Sequence, residues 1–527
     1  MDGWVFLSGM MGSGKSTVGR LLAEQLGAPF VDLDARIAER EGASIEALFS
    51  SRGEAAFRRL EVEEAERLLA SGPPSVVALG GGTVTDEATR RRLLGEGVLI
   101  TLTAPVGELA ARLERTHGRP LLARGEAAEV LAELLARRAD AYAECHGAVD
   151  TAARPPAAIA AEVSAIASAR PIAVALGRRT YNVDIGRGLL ATLPERLARL
   201  APGAVVLVTD ENVRDAVGTD DLRARIAAAL GGRAVTSIAL APGEQHKTLT
   251  AVERIWDVAL EAAADRQALV LAIGGGVVGD LGGFAASTLL RGVRFAQVPT
   301  SLLAMVDASV GGKTGFDRPQ GKNLIGSFHQ PSFVLCDIET LSTLPRAELR
   351  SGLAEVVKSA WIQGEGAVRQ LEEDAERLVA RDPDALERAV RMSVRLKAEI
   401  VASDEHESGR RMVLNLGHTV GHAIEAARGY VGIRHGEAVA LGMIAAQRVA
   451  AALGRADPGG LERITHLLDA LGLPTALDAH LDAETLRFVS HDKKRSGGKV
   501  RFVVPHEPGR VTIVPLEPAE LAAALGV

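Results

Sequence analysis

Aromatic residues, cysteine and long apolar runs are all scarce in this sequence of 527 residues. Aromatic residues make up 3% of the chain, and there are two cysteines, Cys145 and Cys336. Two cysteines cannot form a disulfide framework, so we expect a reducing, cytoplasmic environment. No apolar stretch approaches the roughly 20 residues of a membrane span. The N-terminal MDGWVFLSGM runs straight into a glycine loop, which indicates a buried strand rather than a signal peptide.

A basic surface is also missing. The formal net charge is −7 and no stretch is rich in lysine and arginine, which argues against a nucleic-acid partner. The length is too great for a single ordinary core, so two or three domains are expected.

Lysine is the rarest of the common charged residues. Nine of the 60 basic residues are lysine and the other 51 are arginine. Arginine does not replace lysine where a site needs a compact, mobile ammonium group. Each remaining lysine is therefore a candidate site residue, although some, such as Lys499, could be present by chance.

The first third of the chain alternates short apolar runs with helical patterns. Strands are predicted at residues 4–9, 29–33, 75–79 and 98–103, and helices between them, for example at 18–26 and 54–69. This alternation is typical of βαβ units around a parallel sheet. Pro155 and Pro156 suit the first turn of a last helix, which ends before Pro171, so we expect a domain boundary near Ala169.

A second α/β region follows this boundary. Its predicted strands lie in PIAVAL, TYNVDIG, AVVLVTD, TSIAL, ALVLAIGGG and FAQVPTS. From about Glu348 the pattern is almost entirely helical, and KVRFVVPHEPGRVTIVPL near the end is typical of a hairpin. The sequence thus predicts three domains, at residues 1–168, 169–345 and 346–527.

The segment GMMGSGKST matches the phosphate-binding pattern G-x-x-x-x-G-K-[ST] between a predicted strand and helix. Backbone N–H groups at such a helix start face phosphate oxygens, the lysine reaches the β- and γ-phosphates, and the serine hydroxyl can ligate Mg²⁺. ATP binding is therefore predicted here, by Gly12, Ser13, Gly14, Lys15, Ser16 and Thr17.

Further motifs follow in FVDLDARI, GEAAFRRLE, ALGGGTV, THGRPLL and RRADAY. We expect Asp32 and Asp34 on one face at the end of a strand. Taken singly, Asp34 could be a helix cap, Arg58 and Arg138 solvated helix charges, and the glycines a turn.

In this order and spacing, the motifs resemble shikimate kinase over nearly all of residues 1–168. The resemblance implies a P-loop fold like that of nucleoside monophosphate kinases and phosphorylation of the shikimate 3-hydroxyl. Asp34 would hold the shikimate hydroxyls and help to activate the attacking oxygen, and Asp32 would support Mg²⁺ through water. Arg119 would close over ATP and stabilise the transferring phosphoryl group. The remaining shikimate-binding residues implied are Arg58, Gly80, Gly81, Gly82 and Arg138.

The second glycine loop, GGGVVGD, lacks the acid about 20 residues later that a dinucleotide-binding fingerprint requires. Polar residues are instead dense in RGVRFAQVPTSLLAMVDASVGGKTGFD and GKNLIGSF, which favours phosphate or sugar recognition. LNLGHTVGHAIE places His418 and His422 on one helix face, RHGEAVA adds His435, and GLAEVVK adds Glu355 and Lys358. Three nitrogen and oxygen ligands with an open position suit a catalytic Zn²⁺ or a similar ion.

These segments, together with a final DKK, resemble 3-dehydroquinate synthase from about Pro171 to the C-terminus. The resemblance implies an NAD-binding α/β domain, a helical metal domain and a homodimer. Glu355, His418 and His435 would bind Zn²⁺ or Co²⁺, whereas His422 would face the substrate. The substrate would be 3-deoxy-arabino-heptulosonate 7-phosphate, converted to 3-dehydroquinate with loss of phosphate while NAD⁺ is regenerated.

The resemblance also implies two larger sets of residues. Those that line NAD are Asp210, Asn212, Glu244, Lys247, Gly275, Gly276, Val277, Val278, Gly279, Asp280, Thr300, Ser301, Lys313, Lys322, Thr340 and Thr343. Those that hold the heptulosonate phosphate are Arg291, Asp307, Lys313, Lys322, Asn323, Lys358, Arg411, Asn415, His422, Lys493 and Lys494, with the choice between the last two open. Lys313, Lys358, Arg411 and His422 would also act in catalysis.

Two alternatives remain at this stage. The first pairs a gluconate-type sugar kinase with another sugar-phosphate cyclase or a metal-dependent polyol dehydrogenase. The second is that one half is a non-catalytic scaffold. We expect the two halves to work independently on small-molecule substrates, because the two family reactions are not consecutive.

Overall fold

The computed structural model describes residues 3–114, 127–490, 495–496 and 498–527. The chain divides into two compact units, Met1–Asp184 and Ile185–Val527. The boundary between them falls within the strand Tyr181–Gly186. No described helix is both long and apolar enough to span a membrane.

The first unit is built on five parallel strands. The strands are β1 (Trp4–Gly9), β2 (Phe30–Asp32), β3 (Val76–Ala78), β4 (Gly97–Thr103) and β5 (Gly147–Asp150). They lie in the order β2-β3-β1-β4-β5. The helices are α1 (Lys15–Leu26), α2 (Leu33–Glu41), α3 (Ile45–Ser71), α4 (Glu87–Glu96), α5 (Val106–Glu114), α6 (Ala127–Ala143) and α7 (Pro156–Ala169). An antiparallel pair follows, β6 (Ile172–Val174) and β7 (Tyr181–Gly186).

Both faces of this sheet are covered, as the unbroken apolar run of β1 predicts. Trp4 and Phe6 point into one hydrophobic cluster, and Val5 and Leu7 into the cluster on the opposite face. The predicted helix start at the proline pair is confirmed, because Pro155 precedes the first residue of α7. One expectation is wrong: Asp34 is not on the end of a strand. Strand β2 ends at Asp32, whose side chain caps α2, so Asp34 lies in the first helical turn.

The second unit begins with a parallel sheet. The strands and helices of this α/β part are α8 (Leu193–Leu200), β8 (Val205–Asp210), α9 (Glu211–Ala216), α10 (Thr219–Ala229), β9 (Val235–Leu240), α11 (Leu249–Glu261), β10 (Leu269–Gly274), α12 (Gly276–Thr288), β11 (Arg294–Pro299), β12 (Lys313–Arg318), β13 (Gly321–Phe328) and β14 (Val334–Asp337). The parallel strands lie in the order β14-β11-β10-β8-β9. Strands β12 and β13 form a separate antiparallel hairpin that the sequence analysis did not predict.

The rest of the second unit is helical, as predicted, apart from a small sheet near its end. Its elements are α13 (Arg346–Gln363), α14 (Glu365–Val379), α15 (Pro383–Ser403), α16 (His418–Ala427), α17 (His435–Ala452), α18 (Gly460–Ala470), α19 (Ala483–Ser490), β15 (Arg495–Ser496), β16 (Lys499–Glu507), β17 (Arg510–Leu516) and α20 (Pro518–Leu525). Strands β16 and β17 are the predicted hairpin.

Glycine allows α17 to lie against its neighbours. A Cβ atom on Gly442 would collide with the Gly417 carbonyl oxygen, and one on Gly436 with the Ser351 carbonyl oxygen. These contacts bring together the N-termini of α16 and α17 and the middle of α13, where three predicted metal ligands lie.

We expect Gly442→Ala to destabilise the helical part by about 1–3 kcal/mol, because a buried backbone would have to move to admit one methyl group. The midpoint of thermal unfolding followed by circular dichroism measures this loss. Gly366→Ala is the matched control, since no atom lies within 4 Å of a Cβ placed there. Equal midpoints for the two variants would contradict the close approach.

Candidate active sites

In the first unit, the loop after β1 closes over the start of α1. Lys15 Nζ donates hydrogen bonds to the carbonyl oxygens of Gly9, at 2.8 Å, and Met10, at 3.2 Å. Gly12 and Gly14 have φ angles of 82° and 92°, in the region that favours glycine. The loop therefore has the form of the phosphate cradle predicted from its sequence.

A candidate magnesium site lies beside this phosphate-binding loop. Ser16 Oγ donates to Asp32 Oδ2 at 2.7 Å, and Asp32 also accepts from the backbone of Ala35. A hydroxyl and a carboxylate at the end of β2 are oxygen ligands of the kind that Mg²⁺ prefers.

Three glycines after β3 let charged side chains approach the backbone. Glu61 is fully buried and accepts from Arg58 Nη1 at 2.5 Å, from Thr83 Oγ1 at 3.1 Å and from the Gly82 N–H at 3.4 Å. A Cβ atom on Gly80 would collide with Glu61, and one on Gly82 with Arg58. Glu61 was not predicted as a site residue, because in the sequence it is one more acid in a charged helix.

A second guanidinium group reaches the same turn. Arg138 Nη1 donates to the Gly81 carbonyl oxygen at 2.7 Å, and the Tyr142 hydroxyl donates to the same oxygen at 2.6 Å. Asp34 lies close by, because its Oδ1 is 2.8 Å from a Cβ built on Gly80. The structure thus brings Asp34, Arg58 and Arg138 to one glycine turn, whereas Arg119 lies outside the described residues.

In the second unit, the glycine loop joins the carboxyl end of β10 to α12. The Thr300 N–H donates to the Gly274 carbonyl oxygen at 2.9 Å, and Ser301 Oγ lies 3.6 Å from a Cβ built on Gly275. Gly276 begins α12, a helix of 13 residues whose first N–H groups have no partner within the helix. An anionic group is favoured at such a position.

Four residues predicted for NAD or substrate contacts meet at the side of this loop. Lys247 Nζ lies 2.6 Å from both Asp280 Oδ2 and Asn323 Oδ1, and 3.9 Å from Glu244. Burial raises the pKa of Asp280 against the opposing effect of Lys247.

Other predicted residues lie further along the strand ends. Asp210 caps α9, with the Val213 N–H at 2.9 Å, and Asn212 is exposed in that helix. Thr340 and Thr343 bond to nearby backbone carbonyls after β14. Arg291 is exposed in the turn between α12 and β11.

Glu355, His418 and His435 form the predicted cluster of ligands. One ligand atom from each lies within 4.8 Å of the others. Both Nε2 atoms face Glu355 Oε1, that of His418 at 3.4 Å and that of His435 at 3.5 Å. The remaining ring nitrogens are held from behind, His418 Nδ1 by the Leu416 carbonyl at 3.2 Å and His435 Nδ1 by Glu425 Oε2 at 3.2 Å. A second group of suitable spacing consists of His422, Glu425 and His435.

The cluster fits a divalent cation in charge as well as in donor atoms. Glu355 is 1% exposed, and although burial opposes its charge, Lys358 and His418 hold its pKa well below the usual range. Burial also opposes charge on His435, but hydrogen bonds to Glu355 and Glu425 raise its pKa to about 10. The carboxylates of Glu355 and Glu425 therefore stabilise positive charge at the cluster. A divalent ion bound by neutral imidazole rings would supply that charge.

Two buried lysines, Lys358 and Lys397, lie next to the cluster. Lys358 pairs with Glu355 and lies 3.7 Å from Asp307, while Lys397 Nζ lies 2.7 Å from Asp307 Oδ1. Burial lowers the pKa of Lys397 to about 8, helped by Arg411. No motif predicted a role for Lys397, although the scarcity of lysine made it a candidate site residue.

Three further residues predicted to bind the anionic substrate, Lys313, Arg411 and Asn415, have partners within the protein. Buried Arg411 donates to the carbonyl oxygens of Gly311 and Glu405. Lys313 pairs with Glu407, whose other oxygen accepts from Asn415 at 2.7 Å. A carboxylate thus bridges two side chains predicted to hold an anionic substrate. Lys493 and Lys494 lie outside the described residues.

Known proteins resemble both units of the chain. The family models for the N-terminal and C-terminal parts of 3-dehydroquinate synthase match residues 237–351 and 352–495. A 3-dehydroquinate synthase from Symbiobacterium thermophilum is 46% identical over 344 residues, which cover 64% of this chain and 95% of that protein. The chain belongs to the 3-dehydroquinate synthase family. Another family member, from Rhodopirellula baltica, is 44% identical over 67% of this chain and 96% of its own.

The shikimate kinase family model matches residues 11–167. The chain is therefore an enzyme that joins a shikimate kinase to a 3-dehydroquinate synthase. These matches favour this pairing over a gluconate-type kinase with a different partner.

Solved structures resemble the synthase part. A 2-epi-5-epi-valiolone synthase from Streptomyces hygroscopicus, with NAD⁺ and Zn²⁺ bound, has a TM-score of 0.59 and 29% identity, and covers 66% of this chain and 95% of its own. A 2-deoxy-scyllo-inosose synthase has a TM-score of 0.60 at 24% identity, covering 67% of this chain and 99% of its own, and supports the fold alone.

We expect Lys15→Arg to lower shikimate kinase activity by roughly 10²-fold or more, since the bulkier planar group cannot take the place of an ammonium group among loop carbonyls. ADP formation with shikimate measures this change. Lys499→Arg is the control, because Lys499 is a half-exposed partner of Glu517.

Phosphate release by the synthase half of the same Lys15→Arg protein provides an internal reference and should stay unchanged. Kinase activity equal to that of Lys499→Arg would contradict the role of Lys15.

Proposed function

We propose that the first unit transfers the γ-phosphoryl group of ATP to the 3-hydroxyl of shikimate, and that the second converts 3-deoxy-arabino-heptulosonate 7-phosphate to 3-dehydroquinate and phosphate. The observation that supports the second reaction most directly is the cluster of Glu355, His418 and His435, which fits a divalent metal and lies beside the buried ammonium group of Lys358. The NAD⁺ and Zn²⁺ of the valiolone synthase support the same two cofactors here.

In the kinase half, Arg58 and Arg138 would hold the shikimate carboxylate, for which a planar guanidinium group offers two parallel donors. Asp34 would accept a hydrogen bond from a ring hydroxyl. Lys15 would lie against the phosphates, and Ser16 and Asp32 would support Mg²⁺. Positioning and charge stabilisation account for most of the catalysis of phosphoryl transfer, and these side chains supply both.

In the synthase half, Glu355, His418 and His435 would hold Zn²⁺ or Co²⁺, and the residues around α12 would hold NAD. When bound, the metal polarises a substrate hydroxyl and NAD⁺ accepts and returns a hydride. Lys358 and Lys397 would neutralise the charge of substrate and departing phosphate. Displacement of Glu407 by a substrate anion would free Lys313 and Asn415 to bind it.

We also propose three further features of the chain. The first is the division into domains at residues 1–168, 169–345 and 346–527. The second is a homodimer formed through the synthase half. The third is a cytoplasmic location.

Phosphate release from the heptulosonate phosphate with catalytic NAD⁺ tests the synthase reaction. We expect release to stop when a chelator removes the metal, to return with Zn²⁺ or Co²⁺, and to leave no net NADH because the hydride is returned. His418→Ala should abolish release, while His466→Ala, an exposed histidine on α18, should not.

Absence of release with metal and NAD⁺ both supplied would overturn the assignment. Glucose 6-phosphate would then be tried, because the inosose synthase structure holds a carbocyclic analogue of that sugar phosphate.

The pKa of about 8 for Lys397 predicts a pH dependence. The protonated side chain attracts an anionic substrate, so kcat/KM should fall as the pH rises through about 8 and the charge is lost. Because kcat/KM reports ionisations of the free enzyme, this is the quantity to measure. Lys397→Met should have a lower kcat/KM without that alkaline fall, and Lys499→Met should keep the wild-type profile. The same alkaline fall in Lys397→Met would show that another group titrates.

A further inference from the structure

Glu425 is a buried acid next to the ligand cluster that the family resemblance does not include. It lies on α16 and is 2% exposed. Its Oε2 lies 3.2 Å from His435 Nδ1, and its Oε1 accepts from Lys322 Nζ at 3.0 Å. A buried carboxylate is costly unless both its oxygens have charged or polar partners, and Glu425 has them.

The first contact determines which nitrogen of His435 faces the cluster. With Nδ1–H directed at Glu425, the lone pair of the neutral ring is on Nε2, and Nε2 is the atom directed at Glu355. Carboxylates behind metal-binding histidines hold the ring orientation and tautomer in this way and make the ligand more basic.

The second contact pairs the other oxygen of Glu425 with a lysine. Lys322 lies on β13, 4.9 Å from the centre of the Tyr430 ring and 4.0 Å from Glu244. Its ammonium group is directed at the oxygen of Glu425 that His435 leaves free. The carboxylate is thus shared between a histidine and a lysine.

We propose that Glu425 is a positioning residue that orients His435 and fixes its metal-binding tautomer, with Lys322 balancing its charge. The proposal rests on the proposed metal site of Glu355, His418 and His435. It excludes the other group of suitable spacing, in which Glu425 would bind the metal directly together with His422 and His435.

Zinc affinity of the full chain, measured by competition with a chromophoric chelator, tests this role without any turnover. We expect Glu425→Gln and Glu425→Ala to raise the dissociation constant for Zn²⁺ by roughly 10- to 100-fold, the usual effect of losing such a partner, with the larger effect for alanine. Glu348→Gln is the matched control, because Glu348 pairs with Arg434 next to His435 and is half exposed. That control should bind Zn²⁺ as the wild type does.

The visible spectrum of bound Co²⁺ separates positioning from ligation. If Glu425 acts behind His435, Co²⁺-saturated Glu425→Ala keeps the wild-type band positions, and His422→Ala keeps wild-type Zn²⁺ affinity. A changed spectrum in Glu425→Ala, a loss of affinity in His422→Ala as large as in His418→Ala, or wild-type affinity in Glu425→Ala would each overturn the proposal.

Failure of the metal site itself would be recognised separately. Wild-type Zn²⁺ affinity in both Glu355→Gln and His418→Ala would overturn the proposed ligand set and this inference with it. A protein that binds Zn²⁺ as described but releases no phosphate from the heptulosonate would overturn the proposed reaction and support the role of Glu425.

Discussion

A charged carboxylate buried inside the helical part of the second unit must be balanced by nearby positive charge. Glu355 lies on α13 with Lys358 one turn away and two imidazole rings across from it. Because an unpaired buried charge costs several kcal/mol, the helices that carry these partners have little freedom to shift. The close backbone contacts at the glycines of α17 serve the same end, because they let His418 and His435, the first residues of α16 and α17, approach Glu355. Packing and electrostatics therefore constrain the same three helices.

The kinase site follows a similar rule with a different set of residues. Glu61 is fully buried, pairs with Arg58 and accepts hydrogen bonds from the glycine turn. Without glycine at positions 80 and 82, neither side chain could lie where it does. In both sites, a buried acid pairs with a cation, and the absence of a Cβ atom makes room nearby. In the kinase site it makes room for the paired side chains, and in the synthase site for the backbones of neighbouring helices. The substrate-facing groups are thus oriented by interactions within the protein before any ligand is bound.

Local patterns explain why much of this could be predicted from sequence. The phosphate loop and the helical spacing of His418 and His422 depend on residues within a few positions of each other, and the structure has them as predicted. Glu61 pairs with Arg58 three residues away, but its contacts with the glycine turn are 21 and 22 residues further on. Lys397, Glu407 and Glu425 were missed because each has a partner 90 or more residues away in the chain. Lys397 and Asp307, for example, are 90 residues apart in the chain. The β12–β13 hairpin was missed for another reason: its segments have the glycine and polar residues of a binding loop, which hides the alternation of a strand.

The scarcity of lysine indicated site residues whose partners are distant in the chain, which local motifs could not do. Seven of the nine lysines lie in the described residues, and six of them are in the two sites: Lys15, Lys247, Lys313, Lys322, Lys358 and Lys397. The seventh, Lys499, forms an ion pair at the surface. Lys247 and Lys358 are buried against carboxylates, where a compact ammonium group fits and a planar guanidinium would need more room. Lys397 has a further property that arginine lacks, since burial brings its pKa to about 8, whereas an arginine would stay charged at every pH the enzyme meets. In a chain whose basic residues are mostly arginine, the remaining lysines therefore indicate positions where the size and the ionisation of the side chain both matter.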